Sequence, residues 1–287
     1  MGDTIAVQAF NKADTVIAAL DSIAKSRGSR NYALLILQDG CLGSTRTETD
    51  GKAQIDTNRA IKTWITRYRN QFASVSFNRV DRNYGPYALA ERLINEAFEK
   101  SGFVIFSEDD VIFERDAIQW FERARRDPGF QREEAWAIAG ESKFFEAQRH
   151  TPSRADINRA LEVARMQRLM DRFVYFDVVP SSCFATTRDK WAEFGKTRGV
   201  ARGDRAVVER CRAEGKLCLW PVVSRCRDIG MHHPLGWGVR WRGADHPVFK
   251  NSYIVSSMLE NASGDLRQLL PEENSALLNE FTLSWMM

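Results

Sequence analysis

The stretch that most constrains this chain runs from Phe103 to Phe113. The apolar run Phe103-Val104-Ile105-Phe106 is followed at once by Ser107-Glu108-Asp109-Asp110 and then by Val111-Ile112-Phe113. Short runs rich in Val, Ile and Phe read as strands buried on both faces, as in a parallel sheet covered by helices. Three consecutive carboxylates at the end of such a strand repel one another and are tolerated together only in water or around a cation. Hard carboxylate oxygens suit Mg²⁺ or Mn²⁺ rather than zinc. In open α/β sheets, ligands bind in the crevice beyond the carboxyl ends of the strands. A solvated acidic turn would carry the same residues, so the flanking chain has to separate the two readings.

Taken in order, Ile5-Ala6-Val7 reads as a first buried strand, and Asn11-Lys12-Ala13-Asp14 opens a helix with apolar positions at Val16, Ile17, Leu20 and Ile23. Ala33 to Leu37 is a second strand ending in Gln38-Asp39-Gly40, which completes a βαβ unit with a right-handed crossover. Cys41 to Gln54, polar and rich in Thr and Gly, reads as a loop before a helix over Ile55 to Phe72. Val75-Ser76-Phe77 is a third strand, and Arg82-Asn83-Tyr84-Gly85-Pro86 a turn. A helix from Tyr87 to Lys100 then leads into the Phe103 strand. Candidate polar residues therefore stand near three strand ends: Asn11, Asp39, and Glu108 to Asp110. That recurrence favours a site over an acidic turn.

Downstream, the pattern gives a helix over Asp116 to Arg126, a strand over Ala135 to Ala139, and a basic amphipathic helix over Asp156 to Phe173. Val174 to Val179 is strand-like, and Arg188 to Phe194 a short helix. Gly203-Asp204 precedes a helix over Arg205 to Glu214 that Gly215 closes, and Lys216 to Pro221 is a strand. From Asp228 to Asp245 the chain is loop-like and rich in Gly, His and Trp; the remainder to Met287 carries no motif.

A chain of 287 residues that is 44% apolar can build a sizeable core without disulfide staples. Its 41 basic and 38 acidic residues, a formal charge of +3, are too balanced for general nucleic-acid binding. Cys41, Cys183, Cys211, Cys218 and Cys226 contain no C-x-x-C pair, as expected of reduced thiols in a cytoplasmic protein. The start of the chain has no basic segment followed by an apolar one, and no stretch approaches the roughly 20 apolar residues of a membrane span. Any membrane contact is expected to be peripheral.

Together, Gln38-Asp39-Gly40, the Arg82-Asn83-Tyr84-Gly85 turn and Glu108-Asp109-Asp110-Val111 resemble a nucleotide-sugar glycosyltransferase of the GT-A fold. Phe176-Asp177-Val178-Val179-Pro180, Trp191-Ala192-Glu193-Phe194, Gly203-Asp204, Gly215-Lys216 and Pro221 to Arg225 extend the likeness. In order and spacing these blocks are similar to the N-acetylglucosaminyltransferase I family and to family 2 glycosyltransferases, over roughly residues 4 to 231. The resemblance implies a mostly parallel central sheet flanked by helices in a single domain. Its nucleotide-binding half would span about residues 1–115, its acceptor-side half about 116–245, and a C-terminal extension about 246–287.

The resemblance also implies a metal-dependent, inverting hexosyl- or N-acetylhexosaminyltransferase. The donor would be a UDP-sugar, or a GDP-sugar, and the acceptor a carbohydrate or other hydroxyl. Asp110 would ligate Mn²⁺ or Mg²⁺ bridging the donor diphosphate, with Glu108 and Asp109 supporting the ribose and metal-bound water. Asp39 would hydrogen-bond the base, with Asn11 and Arg82 beside it, although an ordinary Asp-Gly turn would also place an Asp there. Asp204 matches the general base of inverting relatives, a position that a helix N-cap explains as well. The family often has two acids there, whereas this chain has Gly203-Asp204. In the stretch from His232 to Trp241, a mobile loop would close over the donor, although ordinary loop histidines and core tryptophans would give the same residues. His232 would reach the metal, His233 and Arg240 the diphosphate, and Trp237 a sugar face. Two alternatives stay open: a sugar nucleotidyltransferase, whose usual Gly-rich basic loop is represented after Val7 only by Lys12, and a catalytically silent carbohydrate-binding protein on the same fold.

Overall fold

The computed structural model describes residues 2–44, 47–132, 135–142, 169–177, 182–193, 204–230, 233–236, 267–268 and 272–273. The strands in chain order are β1 (Asp3–Ala9), β2 (Tyr32–Gln38), β3 (Ser74–Arg79), β4 (Phe103–Ser107), β5 (Val111–Phe113) and β6 (Ala135–Ala139). Then follow β7 (Arg172–Phe176), β8 (Cys183–Thr187), β9 (Leu217–Pro221), β10 (Cys226–Asp228) and β11 (Arg267–Gln268). The helices include α1 (Ala13–Lys25), α2 (Thr47–Tyr68), α3 (Gly85–Phe98), α4 (Ala117–Ala124), α5 (Pro128–Gln131) and α6 (Asp204–Ala213).

Nine strands form one mixed sheet in the order β11-β7-β9-β6-β8-β4-β1-β2-β3. The half from β4 to β3 is entirely parallel. In the other half β8 runs antiparallel to both β4 and β6, and β7 antiparallel to β9. β5 and β10 make a separate antiparallel pair in which Val111 stands opposite Asp228.

Alternation along the strands divides the core between the two sheet faces. In β4, Val104 and Phe106 pack with Leu93 of α3 and with Trp136. Phe103 and Ile105 point the other way and pack with Val16 and Leu20 of α1 and with Trp120 of α4. Successive side chains in a strand face opposite sides, so a strand with helices on both faces must be apolar throughout, as β4 is. Each large side chain buried in this way contributes about 1.5–3 kcal/mol of transfer free energy. α3 begins where Gly85 takes a φ of 75° and Pro86 follows in the first turn, whose N–H groups have no helical partner in any case.

Several elements depart from the sequence expectation. α2 begins at Thr47, inside the segment expected to be a loop. Glu48 and Asp50 lie in its first turn, where acids favour a helix start, and Asp50 accepts hydrogen bonds from the side chains of Asn11 and Ser44. β8 lies in a segment with no long apolar run, and its conformation is fixed by partners on both edges. Leu169 to Asp171 form a turn and Arg172 and Phe173 open β7, so none of them continues the expected helix, whose residues 156–168 lie outside the described residues. Among the described residues, no helix is long and apolar enough to cross a membrane.

Candidate functional site

Strand order decides where the crevice lies. The chain leaves β1 for β2 and β3 on one side, then returns to β4 on the other side of β1. Between parallel neighbours whose onward connections diverge, a crevice opens at the carboxyl ends. A cavity of about 410 Å³ occupies this position, with Gln8, Asn11, Lys12, Asp39, Asn83 and the three acids Glu108 to Asp110 in its wall. Three side-chain interactions stitch the ends of β1 and β4 together. Gln8 Nε2 donates to Glu108 Oε1 at 3.2 Å, the Phe10 backbone N–H donates to Asp109 Oδ2 at 3.1 Å, and Lys12 Nζ lies 2.8 Å from Asp109 Oδ1. Lys12 also pairs with Asp110 Oδ2.

Lys12 and both acids are almost fully withdrawn from water, their side chains only 8–12% exposed. Burial by itself would lower the Lys12 pKa, but the charges of Asp109 and Asp110 outweigh it and hold the ammonium protonated. Burial pushes the Asp109 carboxyl up, Lys12 pulls it back, and the Asp110 charge adds to the upward push. The pairing of β10 with β5 brings a further carboxyl to the site. Ile229 N–H donates to the Asp110 carbonyl at 2.7 Å, and Gly230 N–H donates to Asp228 Oδ1 at 2.6 Å. Burial, and next the charge on Asp110, hold the Asp228 carboxyl well above the usual carboxylate range. Gly230 packs so tightly that a Cβ there would sit 1.8 Å from Asp110 Oδ2.

These residues fit a hard divalent cation. Asp110 Oδ1 is buried and has no hydrogen-bond partner among the described residues, and Lys12 pairs with Asp109 and Asp110 while the Asp228 carboxyl adds a third acid nearby. Mg²⁺ is commonly held by one or two carboxylates, with water and substrate phosphate supplying the other positions. Among the described residues no three His, Cys, Asp or Glu side chains form a closed metal cage, so an ion held by Asp109 and Asp110 would be completed from outside the protein.

Asp39 stands in the cavity wall at the end of β2. Its two oxygens offer about four acceptor positions, and four donors lie within 3.0 Å: the Gly40 and Tyr84 N–H groups on Oδ1, and the Gly85 N–H and Asn83 Nδ2 on Oδ2. Burial raises the Asp39 pKa in spite of these backbone donors. Asp39 therefore pins the 83–85 turn, and a contact to a base would require one of these donors to yield. Gly40 permits the arrangement, since a Cβ there would fall 2.0 Å from the Asp81 carbonyl oxygen.

The other expected site residues divide into three groups. Asn11 is buried in the cavity wall and donates to Asp50, whereas Arg82 is exposed and outside the lining. His233 contacts Asp14 of α1 through Nε2 at 3.1 Å and accepts from the Leu235 N–H, and Leu235 and Gly236 just beyond it line the cavity. The segment expected to close over the donor thus supplies part of the wall. Asp204 is the first residue of α6, and its side chain lies outside the described residues, as do His232, Trp237 and Arg240. Sequence reasoning did not find Gln8, Asp228 or Gly230 and gave Lys12 a part only under the nucleotidyltransferase alternative, because their relevance comes from strand neighbours distant in sequence. The small residue at 230, two positions after an acid, was the only local signal.

No protein-family model matches this sequence, and no curated protein sequence matches it. Among solved structures, the chain is similar to S. aureus TarS 1-349, with a TM-score of 0.47 and 12% identity over 81% of this chain and 61% of that one. It is also similar to S. aureus TarS 1-349 in complex with UDP, with a TM-score of 0.36 and 14% identity over 50% of this chain and 36% of that one. The chain spans less than two thirds of the length of either.

Proposed function

We propose that this chain is a GT-A glycosyltransferase that moves a sugar from a nucleoside diphosphate donor, preferentially UDP-linked, to an acceptor hydroxyl with inversion. The observation that carries the reading is the buried pair Asp109 and Asp110 at the β1/β4 switch point, facing a ligand-sized cavity with Asp110 Oδ1 unsatisfied. The motif resemblance of the 38–40, 82–85 and 108–111 segments supports it, since the fold brings all three to one crevice.

Breaking the bond between sugar and phosphate leaves negative charge on the diphosphate, and a site must supply positive charge there. Asp109 and Asp110 would hold Mn²⁺ or Mg²⁺, which would neutralise the leaving diphosphate. The 83–85 turn pinned by Asp39 forms the wall on the nucleotide side. Asp204, at the head of α6, is proposed to take the acceptor proton, a role that needs its carboxylate within about 3 Å of the hydroxyl. A hexose or N-acetylhexosamine is the proposed transferred group.

A thermal-shift panel of UDP-, GDP-, CMP- and dTDP-sugars, with and without Mn²⁺, tests this function. A donor at about 100 times its dissociation constant adds roughly 2.7 kcal/mol of stability. The expected result is stabilisation by a UDP-sugar that EDTA abolishes and that Asp110→Asn lacks. Stabilisation by no nucleotide sugar, or one indifferent to EDTA, would overturn the proposal.

A further inference from the structure

Lys12 is the site residue with the least ordinary environment. It is the residue preceding α1, so its Cα is fixed by the helix while its flexible side chain reaches across to the carboxylates of the β4 end. Its ammonium takes one oxygen from each of Asp109 and Asp110, and these oxygens are the donors that a divalent cation needs. The remaining oxygens differ. Asp109 Oδ2 is engaged by the Phe10 N–H, whereas Asp110 Oδ1 is buried without a partner. Among the described residues a cation therefore has one open oxygen of this pair to meet first, Asp110 Oδ1, and must displace Lys12 to gain Asp109 Oδ1 and Asp110 Oδ2. Two cations cannot share a buried carboxylate pair without repulsion, and a displaced ammonium left unpaired in so dry a place would be costly. A diphosphate entering the adjoining cavity would give it a new partner.

We propose that Lys12 is an exchangeable counter-ion: it holds Asp109 and Asp110 before a cation binds, is displaced by the divalent cation, and then pairs with the donor diphosphate. The exchange rests on the glycosyltransferase reading only in its last step; competition with the cation follows from the carboxylate geometry alone. It makes cation and nucleoside diphosphate bind cooperatively, because the charge released by the first is paired by the second. Lys12 thereby becomes a positioning residue for the leaving group.

The test measures Mn²⁺ binding by electron paramagnetic resonance, and UDP binding by calorimetry at saturating Mn²⁺, for the wild-type chain and Lys12→Met. Removing the competing ammonium is expected to tighten Mn²⁺ alone by at least tenfold and to weaken UDP by at least tenfold. A merely structural lysine would weaken both, and Mn²⁺ affinity that is unchanged or lower in a folded Lys12→Met protein would overturn the proposal. Lysine side-chain NMR of the wild-type chain gives a readout independent of whether the variant folds. The Lys12 Nζ resonance is expected to move when Mg²⁺ is added alone and to move again with Mg²⁺ and UDP, and an unmoved resonance at saturating Mg²⁺ refutes the exchange. Tightened Mn²⁺ binding with no UDP binding in either protein would refute the glycosyltransferase reading and the hand-over to diphosphate, leaving cation competition supported.

Discussion

Replacing Gly230 by alanine perturbs the site through a single atom whose consequences the geometry specifies. The added Cβ would lie 1.8 Å from Asp110 Oδ2, 2.4 Å from its Cγ and 2.7 Å from its Cβ. Non-bonded heavy atoms sit about 3.5 Å apart, so the 230 backbone or the Asp110 side chain must retreat by roughly 1.5 Å. Neither is free to do so. Oδ2 is the oxygen held by Lys12, and the 230 backbone is tied through its N–H to Asp228 on the strand paired with β5. Overpacking of this kind costs about 1–3 kcal/mol, which lowers the melting temperature by about 2–4 °C per kcal/mol in a domain approaching this size. The larger effect is expected on binding, since a displacement of about 1 Å in a site costs on the order of a hundredfold. Gly102→Ala is the control, because a Cβ there meets nothing within 4 Å. Melting curves of both variants, with and without Mn²⁺ and UDP, should show Gly102→Ala matching the wild type and Gly230→Ala losing the ligand-induced shift. A Gly230→Ala protein with wild-type melting and an intact ligand shift would refute the proposed packing of Asp110.

Asp39→Asn replaces a carboxylate oxygen by an amide that cannot accept, leaving two of the four donors at Asp39 unanswered; urea unfolding should show a loss of about 2–4 kcal/mol. A loss of only a few tenths would mean that Asp39 does not pin the turn. Arg225, fully buried with its Nε 3.1 Å from Asp116 Oδ2, should cost about 3–5 kcal/mol as Arg225→Met, and the added Asp116→Asn change should recover part of it in a double-mutant cycle. Additive losses would show that the two charges do not interact. Burial pushes the Cys211 thiol up to about 11 and raises those of Cys183, Cys218 and Cys226, whereas Cys41 is partly exposed. At pH 8 the native protein should therefore release about one equivalent of chromophore from Ellman's reagent at a fast rate, and denaturation the rest. Several fast thiols would contradict the burial.

Much of the parallel half was legible because its signals are local. A strand buried on both faces must be apolar along its whole length, and β1, β2 and β4 could be read for that reason. α1 and α3 announced themselves by the spacing of Val16, Leu20 and Ile23 and of Leu89, Leu93 and Ile94. β8 and β10 were not legible, because Cys183–Thr187 and Cys226–Asp228 become strands only through their partners. The start of α2 was hidden because Asp50 gains its stabilising contacts from Asn11, far back in the chain.

The sequence by itself determined that three strands end near polar or acidic residues, since the alternation of apolar runs with Asn11, Asp39 and Glu108 to Asp110 depends on neighbours a few residues away. Only the tertiary structure decided that β1 lies between β2 and β4. That choice brings Lys12 onto Asp109 and Asp110 across nearly a hundred residues, and the β5–β10 register adds Asp228. The physical reason is that charges interact through space, and which charges share a dry crevice is set by strand order, a property that no local spacing carries.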